Sequence, residues 1–218
     1  MIAQTNKQNN KGFTIVELLV VVVIMVIMGV IFTDILIESL RGRNKVNAIN
    51  QVKQNGQIVL DKLSNEIRSA EAVVCVDKLN NPGGIPKDTI VIFNGGIYSQ
   101  FRLIPPAPLI NPLTNGKIQK VNFTGDDIGT ETDLGLCTNV NISAGPNLRQ
   151  SLTDTDTKNG VSVDVPPFSQ NVFEQRGDSV IIKFNGSAGI KAGSAYDVTV
   201  KDGGVPFMTS VQVRGIKK

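Results

Sequence analysis

The chain contains no histidine and no tryptophan, and only two of its 218 residues are cysteine. Without imidazole there is no Ser-His-Asp triad, no Cys-His nucleophile and no histidine-ligated metal, so ordinary hydrolase mechanisms lack their usual base. The two cysteines, Cys75 and Cys137, lie outside any Cys-x-x-Cys spacing. Such an even pair reads as one disulfide rather than as metal ligands, and a disulfide places that part of the chain outside the cytoplasm. Charge of one sign is also scarce: 22 basic residues against 19 acidic ones leave +3, too little for binding driven by phosphate neutralisation. Beyond residue 73 bases and acids are nearly balanced with no dense basic run, so a nucleic-acid partner is not favoured.

Proline is missing before Pro82, and polar residues are almost missing from residues 13–32, where only Thr14 and Glu17 interrupt apolar side chains and glycine. A helix of that length reaches ~30 Å, enough to cross a bilayer. A cleaved secretory signal fits poorly, because no small-x-small site follows Phe32; a plain signal anchor stays open. Lys7 and Lys11 precede the span while Arg41, Arg43 and Lys45 follow it, so charge counting does not set its orientation. The disulfide reading puts the C-terminal part outside.

From residue 41 to 72 an amphipathic rhythm continues, with Val52, Val59, Leu63, Ile67 and Ala70 on one stripe. The pattern predicts one helix over residues 13–72, ~90 Å long, with Gly29, Gly42 and Gly56 as weak points. After residue 73 the composition turns to glycine, proline and short alternating segments, which predicts β-sheet. Residues 89–93 and 97–103 flank Asn94-Gly95-Gly96, a hairpin signal because these residues accept positive φ. Val161, Val163 and Val165 alternate with polar residues, as do Val180, Ile182 and Phe184, then Tyr196, Val198 and Val200, then Val211 and Val213.

Lys11-Gly12-Phe13-Thr14-Ile15-Val16-Glu17, followed at once by the apolar run, resembles the N-terminal signature of type IV pilins and the pseudopilins of type II secretion systems. The resemblance implies a fold: α+β, a long N-terminal helix packed on an antiparallel β-sheet head. It also implies a leader of residues 1–12, a helix over 13–72 with its membrane part near 13–35, and an extracytoplasmic head over 73–218. A prepilin peptidase would cut between Gly12 and Phe13 and methylate the new amine on Phe13. Glu17 is the one acid inside the apolar run, where an ionised carboxylate costs roughly +2.5–3.5 kcal/mol at a helix centre. In the family such an acid pairs with a neighbour's N-terminal amine during assembly; an interfacial carboxylate reaching water is the alternative. Residues 54–74 are similar to the second half of the helix in minor pilins and J-type minor pseudopilins, and the proline many major pilins carry in the membrane helix is absent.

Asp126, Asp127, Glu131 and Asp133 cluster in a glycine-containing stretch, and residues 154–160 supply further oxygens. Calcium prefers such ligands, but the second stretch departs from EF-hand spacing, and a solvated turn explains it as well. No other cofactor is expected. The sequence therefore predicts a non-enzymatic, pilin-like structural subunit, a minor component that primes a pilus or pseudopilus or sits at its tip. Its partners would be other pilins or pseudopilins, the peptidase and an inner-membrane assembly platform. It would be single-pass in the inner membrane before assembly and in a periplasmic or surface filament afterwards. A major pilus subunit and a plain membrane-anchored binding or enzyme domain are the alternatives.

Overall fold

The computed structural model describes residues 12, 14–76, 88–107, 113–124, 149–154, 156–166, 171–193, 197, 199 and 203–214. Two compact units divide the chain, Met1–Asn44 and Lys45–Lys218, and one helix, α1 (Ile15–Ser69), contributes to both. It starts where Thr14 caps it and ends just before the first strand. There Ser69 Oγ donates to the Glu66 carbonyl at 3.0 Å, satisfying one acceptor that the helix itself leaves open. An acid in the first turn, Glu17, and a base in the last, Arg68, both match the helix dipole.

In the first unit every described side chain is exposed. In the second, α1 buries Ala48, Val52, Gly56, Val59, Leu60, Leu63, Ser64 and Ile67, the i, i+3, i+4 pattern of a helix packed on one side. All five residues of the predicted stripe are buried, Ala70 just past the helix end. Ser64 is accommodated because its hydroxyl donates to the Leu60 carbonyl at 2.7 Å. Gly56 is no weak point: a Cβ there would run into the Phe207 ring, so the glycine admits an aromatic residue to the helix surface.

The head contains two antiparallel sheets where the sequence suggested one. The first is a meander of β1 (Ala72–Cys75), β2 (Thr89–Asn94), β3 (Ile97–Ile104), β4 (Lys117–Thr124) and β5 (Arg149–Ser151). Its β2–β3 hairpin closes as predicted, with Asn94 paired to Ile97 and Gly95 and Gly96 at φ 57° and 83°, the left-handed pair of a type I′ turn. The carboxylate of Glu71 accepts the Gly95 N–H at 3.1 Å.

The second sheet is built on β8 (Ser179–Ala188). On one edge β8 pairs β7 (Phe173–Arg176) along its first residues and β6 (Val161–Asp164) along its last. On the other edge β9 (Val205–Gln212) runs alongside from Ser179 to Gly186. The main core joins α1 to inward residues of both sheets, among them Phe101, Ile118, Val163, Phe173, Phe184 and Phe207. A smaller cluster of Val74, Cys75, Val91, Val121 and Phe123 occupies the other face of the first sheet. One strand prediction fails. Tyr196, Val198 and Val200 lie outside the described residues, but Asp197 and Thr199 between them are helical, and the Asp197 N–H reaches the Gly193 carbonyl four residues back at 3.2 Å. A period of two over five residues does not exclude a helical turn.

Candidate functional site

The motif residues stand at the start of α1. Gly12 is exposed, and a Cβ added there would meet nothing within 4 Å. The fold therefore gives no steric reason for glycine at this position. Phe13 lies outside the described residues. Thr14 caps the helix: its hydroxyl accepts the Glu17 N–H at 3.3 Å, and its carbonyl accepts the Leu18 N–H at 3.2 Å. Thr14-x-x-Glu17 has the spacing of a capping box, a signal readable in the sequence that the apolar run overshadowed. Glu17 thus sits at the third helical position, exposed, where the helix N-terminus favours negative charge.

From there to Leu40 the apolar side chains project from α1 with none of them buried, Ile15 at 86% exposure and Phe32 at 68%. The best window of the helix reaches a mean hydropathy of 3.2. Within the exposed stretch the Thr33 hydroxyl is satisfied locally, Thr33 Oγ1 donating to the Gly29 carbonyl at 2.8 Å. So much bare apolar surface costs about 25 cal/mol per Å² in water. A bilayer or other helices must cover it.

The remaining predicted site residues are elsewhere. Cys75 is buried in β1 at 8% exposure, while Cys137 and the acids Asp126, Asp127, Glu131 and Asp133 lie outside the described residues. In the 154–160 loop the carboxylates serve the backbone. Asp154 Oδ1 accepts the Asp156 N–H at 2.9 Å, and Asp156 Oδ1 accepts the Lys158 N–H at 2.8 Å. The Lys158 amide is the main reason the Asp156 carboxyl stays below its ordinary range; desolvation opposes it, and Asn159 hydrogen bonds and the Lys158 charge assist. These are the bonds of an Asx turn. Among the described residues no three acids or cysteines gather as a metal site would require.

A cleft beside α1 is lined by Asn55, Ile58, Val59, Leu152, Asp154 and Val163 among others. Asp154 is the one ionisable group on its wall, so the cleft offers no acid and base in concert. Sequence reasoning also missed Glu174, nearly buried on β7, which bonds Lys183 Nζ at 2.8 Å and Arg176 Nε at 2.9 Å. The Lys183 contact ties β7 to β8, while Arg176 lies on β7 beside Glu174.

Residues 7–33 match the family model described as the prokaryotic N-terminal methylation motif. No curated protein and no solved structure matches the chain. The matched segment contains Gly12, the Thr14 cap, Glu17 and most of the exposed apolar surface. Proteins with this motif are structural subunits that assemble with one another through an N-terminal helix first anchored in a membrane. On residues 7–33 this chain carries the prokaryotic N-terminal methylation motif, the signature of type IV pilins and pseudopilins.

Proposed function

We propose that the chain is a prepilin, cut between Gly12 and Phe13 by a prepilin peptidase, methylated on the Phe13 amine and assembled through α1 into a type IV pilus or a type II secretion pseudopilus. One observation carries this reading. The methylation motif runs into a helix whose apolar residues from Ile15 to Leu40 find no cover among the described residues. Lipid covers that surface before assembly and neighbouring subunits cover it afterwards. The absence of proline from α1 favours a minor subunit that primes the filament or caps its tip. The working partners are sister pilins, the peptidase and the inner-membrane platform, and no cofactor enters the mechanism.

Gly12 fits this role because nothing in the fold needs a glycine there, whereas a peptidase reading an extended chain needs a small side chain before the cut. Mass spectrometry of the mature N-terminus tests the proposal. A methylated Phe13 is expected, with Gly12→Val accumulating uncut in the membrane. An intact Met1 in wild-type protein, or normal processing of Gly12→Val, would overturn it in favour of a plain anchored domain.

A further inference from the structure

Strand β9 borders the second sheet. Among the described residues it pairs only with β8, which leaves its other edge open over eight residues. Two observations show which main-chain groups point to that edge. The Val213 N–H donates to the Asp178 carbonyl at 2.9 Å, so position 213 turns toward β8, and in an antiparallel ladder every second residue does the same. Phe207, Thr209 and Val211 therefore bond β8, while Pro206, Met208, Ser210 and Gln212 aim their backbone groups away from it. Pro206 agrees with this assignment, because a residue without an N–H is tolerated only where that group would face outward. The same four residues are the exposed ones of the strand, Met208 at 66%.

The N–H groups of Met208, Ser210 and Gln212 and the carbonyls of all four residues thus form a row that repeats about every 6.8 Å. Among the described residues no main-chain partner satisfies them. Open edges in soluble domains are ordinarily shortened or charged. Here the other bordering strands, β1, β5, β6 and β7, have only three or four residues each. By contrast β9 is long, carries no charged residue anywhere from Gly203 to Val213, and is guarded by Pro206 alone.

We propose that β9 is a docking edge for an extended, uncharged segment of a partner polypeptide, which joins the second sheet as an added strand. A row of alternating donors and acceptors at this repeat is complemented by another main chain in β conformation, and about seven residues span it. Neutrality of the edge selects a neutral segment, since a charged side chain laid beside Met208 would lose water and gain no counter-charge. Met208 supplies an adaptable apolar contact, so the partner residue lying over it is apolar. A second copy of the edge is a poorer occupant. Antiparallel self-pairing relates the two sheets by a two-fold axis perpendicular to them, which reverses the run of the α1 segment that packs on Phe207, and two such chains could not enter one bilayer from the same side.

Full-length protein in detergent, presented with a displayed library of random heptapeptides, tests the proposal. Selected peptides should be neutral, with β-branched or aromatic residues at alternate positions. An added edge strand uses one of its two alternating sets of amides, so N-methylation of that set should abolish binding while N-methylation of the other set is tolerated. Ser210→Pro removes one outward N–H without touching a bond to β8 and should weaken the peptide about tenfold, the effect of one lost hydrogen bond, at an unchanged melting midpoint. Ser210→Lys sets a charge on the edge, keeps the backbone intact and should weaken binding as well, which covers the case of a proline variant that does not fold. Failure to select any peptide, a charged consensus, indifference to both N-methylated sets, or full affinity for Ser210→Lys would overturn the docking edge. A wild-type dimer that Ser210→Lys dissolves would overturn it in favour of self-pairing.

Discussion

The ring of Phe207 on β9 lies against the backbone of Gly56 in α1, so close that a Cβ at position 56 would overlap it. The ring cannot easily retreat. It stacks on Phe184 with centroids 5.1 Å apart, and its Cε2 would be 2.9 Å from a Cβ at Gly186. One aromatic side chain thus joins the helix to the second sheet through two glycines.

Gly56→Ala is therefore expected to destabilise the head, although alanine is the better helix former. The propensity gain is about 1 kcal/mol, against roughly 1–3 kcal/mol for overpacking a contact that cannot relax. Thermal melting of the full chain in detergent should show a lower midpoint for Gly56→Ala. In a Phe207→Leu background the same substitution should be neutral or stabilising, since the clash is gone. Equal losses in both backgrounds would show that the ring is not the cause.

Glu174 should make the head acid-sensitive. Its hydrogen bond from Lys183 is the main reason its carboxyl lies below the ordinary value of 4.5; burial opposes the shift, and Arg176 adds to it. A depressed native pKa contributes stability that is present above the ordinary value and is lost as pH falls through the native one. At pH 7 Glu174→Gln should cost about 1–3 kcal/mol, because the Lys183 ammonium loses a charged partner. Melting curves taken down to strongly acidic pH should converge for variant and wild type, and a gap that persists there would refute the assignment.

Cys75 and Cys137 are expected to be joined in protein taken from its native compartment. The bond would close a loop of about 60 residues and add ~4 kcal/mol in the chain-entropy model, with smaller gains common in practice. Non-reducing peptide mapping should recover the linked pair, and Cys75→Ser should lower the melting midpoint. Two free thiols would remove both the bond and the argument that the head is extracytoplasmic.

Glu17→Val should separate insertion from assembly. The helix becomes more apolar and loses no capping bond, since Thr14 binds the residue-17 amide rather than its side chain. If Glu17 pairs with a neighbouring Phe13 amine in the proposed assembly, membrane level and cleavage should hold while the filament fraction falls. Undiminished incorporation of the variant would exclude a register role for this acid.

The motif and the apolar run were legible because their information is local: a glycine, a cap, an acid and an unbroken series of hydrocarbon side chains mean the same thing in any context. The buried stripe of Val52, Val59, Leu63 and Ile67 was legible for a related reason, since a 3.6-residue period marks one helix face whatever it packs against. The Asn94-Gly95-Gly96 turn could be read from the backbone freedom of its residues alone.

Tertiary structure decided the matters that depend on partners. Periodicity shows that Val180, Ile182 and Phe184 face inward, yet it cannot show that β8 would be shared by three strands in a second sheet, because pairing joins residues far apart in sequence. Gly56 looked like a flaw in the helix until Phe207, some 150 positions later, came to rest on it. Nothing local marks Glu174; its role exists only because Lys183 meets it across the β7–β8 pair. Local chemistry sets which face of an element is apolar or charged; only close packing and strand pairing determine which distant residue meets that face.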